Sequence, residues 1–214
     1  MARRAAVLLA VLVSGVCVAG CAGGGPGLAG QPPHRGGTAV TYVSAEELGG
    51  GSQDPRLAWP DIFAQSSLPY WATTYALDVE WDWVFDVPSL VSQVKALRPT
   101  LVTVELGMFE ALNAVPAWQF SQSLSQLLSQ LKASGRRVLV GNVPTALGPA
   151  SLLAQYNTDI ASDAKAAGAR LVDISGAVAR GATGRAGALI SGGVLTASGQ
   201  RVVAATFAAA LKQP

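Results

Sequence analysis

The sequence predicts an α/β protein, a three-layer α/β/α sandwich around a five-stranded parallel sheet. Three observations predict it. Apolar, strand-like runs alternate along the chain with segments of helical period. Several runs, "LVTVELG" most clearly, are apolar at successive rather than alternate positions, as in strands covered on both faces. Of the 214 residues 50% are hydrophobic and only 13% charged, enough for one sizeable core and too apolar for extended disorder.

The elements follow in order. "TAVTYVS" (38–44) reads as the first strand, then comes a Gly-rich loop and a short helix around "RLAWPDIFAQ". "PYWATTYAL" (69–77) is the second strand, "SLVSQVKAL" (89–97) a helix and "PTLVTVELG" (99–107) the third strand. "WQFSQSLSQLLSQLKASG" puts Phe120, Leu124, Leu127, Leu128 and Leu131 on one helix face, with Gly135 as C-cap. "RRVLVGNVP" (136–144) is the fourth strand, a helix then ends at Gly168, and "ARLVDIS" (169–175) is the fifth. "SGQRVVAATFAAALK" closes the chain as a helix with Ser198 as N-cap. Ligands of such sheets bind at the C-terminal strand ends, which singles out loops 45–54, 76–88, 107–117, 143–149 and 190–199.

The start of the chain sets its address. Arg3 and Arg4 precede "AAVLLAVLVSGVCV", an apolar run too short for a comfortable membrane span, and "VAGC" (Val18 to Cys21). This pattern resembles the bacterial lipobox, which implies a signal peptide over 1–20 and diacylation of Cys21. An ordinary secretory signal with an incidental cysteine is the alternative. Acyl chains contribute about 0.8 kcal/mol per buried CH₂, so the expected location is exported, anchored to the outer face of the cell membrane through Cys21 and membrane lipid. Residues 21–37, rich in Gly and Pro, read as a flexible tether, and 38–214 as the folded domain. With Cys17 in the leader and Cys21 lipidated, the domain holds no cysteine for a disulfide, thiolate metal site or nucleophile. Setting aside Arg3 and Arg4 leaves 13 basic residues against 13 acidic ones, so nucleic acid is not an expected partner.

"YVSAEELGGG", "LVTVELGMFEAL", "VLVGNVP", "YNTDIASDAKAAGARLVDIS" and "GGVLTASGQRVVA" occur in that order and span most of 38–212. Together they resemble the SGNH/GDSL hydrolase superfamily, which implies a flavodoxin-like α/β/α domain and ester chemistry by a serine, an oxyanion hole and an Asp-x-x-His pair. The catalytic positions depart from that pattern. Where Gly-Asp-Ser is expected, the chain has Ala45, Glu46, Glu47 and Leu48, so Glu47 or Leu48 takes the nucleophile slot. Tyr75 falls where the resemblance puts an oxyanion glycine. Gly107 is retained, but Phe109 replaces the oxyanion Asn and Glu110 the Asp. In "GGVLT", Gly192 replaces the Asp, Gly193 and Val194 follow, and the histidine is missing. The only histidine, His34, lies in the tether.

A serine needs a base to take its proton, and each lost oxyanion donor costs about 10²–10³ in rate. The composition therefore excludes the usual Ser-His chemistry and implies a pseudoenzyme. The expected role is binding of a glycan, acyl group or protein partner at the cell envelope, with no cofactor and no metal. The rival is a rearranged ester hydrolase or acyl-transfer enzyme, using Ser44 or Ser52 with a carboxylate base, or a cluster of Glu46, Glu47 and Glu110. Such carboxylates also serve as solvated or capping groups, and no EF-hand-like spacing is present. In "LDVEWDWVFDVP", Trp81 and Trp83 interleave with acids, either as a ligand platform or as rings packed on the sheet.

Overall fold

Every residue of Leu101–Glu105 is buried, which is what a strand covered on both faces requires. The computed structural model describes residues 39–44, 58–69, 72–181 and 189–213. The leader, Cys21, the tether with His34, and Glu46, Glu47 and Ser52 lie outside the described residues. Strands β1 (Ala39–Ser44), β2 (Thr73–Asp78), β3 (Leu101–Glu105), β4 (Arg137–Gly141) and β5 (Arg170–Val172) form one five-stranded parallel sheet in the order β2-β1-β3-β4-β5. The order reverses direction at β1, so β1 and β3 flank the topological switch point.

Helices α1 (Trp59–Ser67), α2 (Val87–Ala96), α3 (Met108–Leu112), α4 (Ala117–Lys132), α5 (Ala150–Ala167), α6 (Ile174–Gly181) and α7 (Ala197–Lys212) complete the chain. A 3-10 turn at Trp81–Phe85 leads into α2, another at Thr145–Leu147 precedes α5, and a hairpin of β6 (Ile190–Ser191) and β7 (Val194–Leu195) precedes α7. The short α3, α6 and the hairpin were not expected from periodicity, because none is long enough to show a repeat. Among the described residues no helix is long and apolar enough to cross a membrane.

Strand alternation assigns the two faces. Tyr42 pairs with Thr103 and Ser44 with Glu105, and this face meets α1, α6 and α7. Trp59 of α1 stacks on Phe207 of α7 at 4.4 Å and meets Tyr42 edge-on at 5.7 Å. Behind the sheet, Phe120 of α4 stacks on Tyr156 of α5 at 4.1 Å. Such ring pairs add about 0.5–1.5 kcal/mol beyond their burial. The α4 face read from the sequence is fully buried, and Ser123 Oγ on its flank donates to Val84 O at 2.7 Å, fastening the first 3-10 turn to that helix.

Two caps differ from expectation. Thr196, not Ser198, caps α7, its Oγ1 accepting from Gly199 N at 3.3 Å. A hydroxyl serves the N-terminal amides only from the last non-helical position, and Ser198 is already inside the helix. Helix α4 ends at Lys132 with Ala133 as its C-cap, so Gly135 belongs to the turn beyond it. Gly168 caps α5 in the left-handed region as expected.

Candidate functional site

Three segments reach the C-terminal edge of the sheet: the ends of β1 and β3, the Gly107–Leu112 turn, and the β6–β7 hairpin. Helix α7 runs back from that edge, since Arg137 and Arg170, at the opposite ends of β4 and β5, donate to Ala210 O in its last turn. The main-chain N–H of Trp59 donates to the buried Gln200 Oε1 at 3.0 Å, so α1 starts at the same edge as α7.

The Gly107 turn is built around a buried acid. β3 must reverse into α3 at once, and Gly107 does this at φ 129, a backbone that side chains rarely adopt. Glu110 reaches back and accepts from Gly107 N at 2.7 Å, while its other oxygen accepts from Trp83 Nε1. Its own carbonyl accepts from Val115 N at 2.9 Å, and Val115 O accepts from the Tyr156 hydroxyl at 2.6 Å. Burial raises the Glu110 pKa, while the Trp83 indole and the turn's amides pull it back down. Glu110 is thus a fully buried internal cap, not a carboxyl facing the cleft. The Gly107 amide is likewise engaged, and Phe109, half-buried beside it, has no side-chain donor.

The hairpin closes through a two-residue turn. Ser191 pairs with Val194 and Ile190 with Leu195, so only Gly192 and Gly193 make the turn, at φ 61 and 80. Both take the left-handed backbone that the tightest hairpins need. Both are exposed, Val194 is half-buried and Leu195 is fully buried.

Two expected cleft residues stand elsewhere. Tyr75 sits in mid-strand, paired with Thr41, because β2 stays in register with β1 as far as Ser44–Asp78. The C-terminal end of β2 is therefore three residues further on, at Asp78. Trp81 and Trp83 do not form one platform. Their 3-10 turn buries Trp83 against Phe120 and Glu110, and turns Trp81 outward at 37% exposure, edge-on to the exposed Phe85. Ser44 ends β1 in register with both Asp78 and Glu105.

Glu105 is the residue that sequence reasoning missed. It is fully buried at the end of β3, and neither oxygen has a hydrogen-bond partner among the described residues. Trp59 Nε1 lies close enough to favour the ionised form without making a bond of good geometry. Burial dominates and pushes the carboxyl up to about 8 from 4.5. Tyr42 Oη and Thr103 Oγ1, on the same sheet face, are also unpartnered, and burial together with Asp61 raises the Tyr42 hydroxyl. The signal was present in "LVTVELG": one acid at the end of an otherwise apolar central strand. Among the described residues no group of three His, Cys, Asp or Glu side chains is placed to hold a metal ion.

No protein-family model and no curated protein matches the sequence. Solved structures do. A protein assigned to the lipolytic G-D-S-L family from Desulfitobacterium hafniense superposes with a TM-score of 0.68 at 15% identity, over 81% of this chain and 99% of its own. A catalytic mutant of the acetylxylan esterase Axe2 from Geobacillus stearothermophilus gives 0.69 at 13% identity, over 83% and 96%. The esterase EstA from a Pseudoalteromonas species gives 0.59 at 13%, over 81% and 96%. The chain has the SGNH/GDSL hydrolase fold.

Proposed function

We propose that this protein is a non-catalytic SGNH-fold lipoprotein, held by a lipidated Cys21 on the outer face of a bacterial cell membrane. It binds a glycan, acyl group or protein partner at the envelope. The observation that carries this reading is the Gly192–Gly193 turn. Where an acid and a histidine would activate a serine, the chain has no side chain at all. The engaged Gly107 amide and the donor-less Phe109 support it, since an oxyanion needs free donors aimed at it.

The test is turnover. The full chain in detergent is expected to leave short-chain aryl esters and acetylated sugars intact and to resist labelling by a fluorophosphonate. The competing reading, a rearranged ester hydrolase, draws on the register of Ser44 with the buried Glu105. Ester turnover that disappears in Ser44→Ala or Glu105→Gln would establish that reading instead.

A further inference from the structure

We propose that the groove between α4 and α5 is a binding site for a neutral oligosaccharide. The groove is open, holds about 700 Å³, and is lined by the facing sides of these helices rather than by the strand ends. It is therefore separate from the degenerate cleft, and the proposal does not rest on how that cleft is read.

The chemistry of the lining selects the ligand. Trp118 stands at the groove with 68% of its surface exposed, more than any other large hydrophobic residue among those described. An indole face held in water suits the C–H face of a sugar ring. Around it lie Gln122, Ser125, Gln155 and Thr158, whose amides and hydroxyls both donate and accept as a polyol does. Asp163 is buried at the groove and accepts from Ser121 Oγ at 3.0 Å, and Asp159 lies on the same helix one turn earlier. Burial raises the pKa of both, and the charge of Asp159 raises Asp163 further.

Other ligand classes fit poorly. Among the described residues no lysine or arginine lines the groove, so phosphates, sulfated or uronic glycans and anionic lipids would find no opposite charge there and two carboxylates of like charge. No aliphatic side chain larger than Ala117 lines it, so an acyl chain gains little. Helix α4 supplies a second, independent observation. From Ala117 to Leu131 it carries no charge, its exposed positions being Ser, Gln and Trp, and Lys132 is its first ionised group. The polar face of a surface helix carries charged or uncharged polar groups. Here it is uncharged over four turns, so it offers amides and hydroxyls matched to a polyol and no charge to select an ion.

The test is calorimetric titration of the full chain in detergent with cellohexaose, xylohexaose and the hexamer of N-acetylglucosamine. A lysine-rich peptide and a polygalacturonate oligomer are the charged comparisons. At least one neutral hexasaccharide is expected to bind. Trp118→Ala is expected to weaken it about tenfold, the loss of one ring contact, and Gln122→Ala several-fold. Both positions lie on the solvent side of α4, and unchanged circular dichroism would show that the fold is kept. Leu171→Ala, on β5, is expected to bind as wild type. Absence of neutral binding, binding unchanged in Trp118→Ala, or salt-sensitive binding of the peptide alone would each overturn the proposal. Ester turnover scores the cleft separately, so failure of either reading is recognisable without the other.

Discussion

Trp83 and Glu110 depend on each other. The indole N–H and the Gly107 amide are what make a buried carboxyl tolerable at position 110. Trp83→Phe keeps most of the ring and removes one donor, leaving a buried oxygen unpaired. It is expected to destabilise the protein by about 1–3 kcal/mol in denaturant titration, more than an exposed Trp81→Phe would. Leu77 to Pro88 did not reveal this division. Interleaved aromatics and acids suggest alternation about a strand, whereas the 3-10 turn rotates Trp81 and Trp83 to different environments. Glu105 was legible as an anomaly but not as a buried group, since burial depends on Trp59, Tyr42 and the helices above them.

Elements with a long repeat were the legible ones. Helix α4 shows its core face in sequence because five apolar positions recur at helical spacing, and β3 because its apolar run is unbroken up to Glu105. The bounds of β2 were not legible for a physical reason: residues 69–77 have no alternation that fixes where pairing begins, so its register comes from its contacts with β1. The stacked pairs hold the two helical layers. Phe120→Ala is expected to cost about 3–5 kcal/mol, read from the urea midpoint, because Tyr156, Trp83 and the Gly107 turn all pack against that ring. Gly192→Val should cost about 1–2 kcal/mol with no steric clash, since a Cβ there meets nothing within 4 Å and only the left-handed backbone is strained.

At the scale of the molecule, buried acids set the response to pH. Glu105 and Glu110 are both raised by burial, as are the more exposed Asp61, Asp159 and Asp163, whose share solvent screening reduces. Asp173 runs the other way. Burial raises it, but Asn142, the Gly176 amide and Arg180 more than offset that. For a raised carboxyl the unfolded chain loses its proton first. The stability from neutral Glu105 is therefore complete below 4.5 and drains as pH rises towards about 8. Chemical denaturation at pH 5, 6.5 and 8 should show stability falling with pH. Glu105→Gln should fall less steeply, the residual slope belonging mainly to Glu110; parallel slopes would refute the assignment. The proposed anchor is tested on the same scale: Cys21→Ala should move the protein from the membrane fraction to the soluble one.

The Gly192–Gly193 turn also limits what could be built into this loop. A histidine placed at either glycine would put a bulky side chain on a left-handed backbone between two paired strands. No single codon change supplies both a base and the acid that orients it. A longer loop would need an insertion that opens the hairpin. Any side chain given to this turn must be fitted to a loop of two positions, both left-handed.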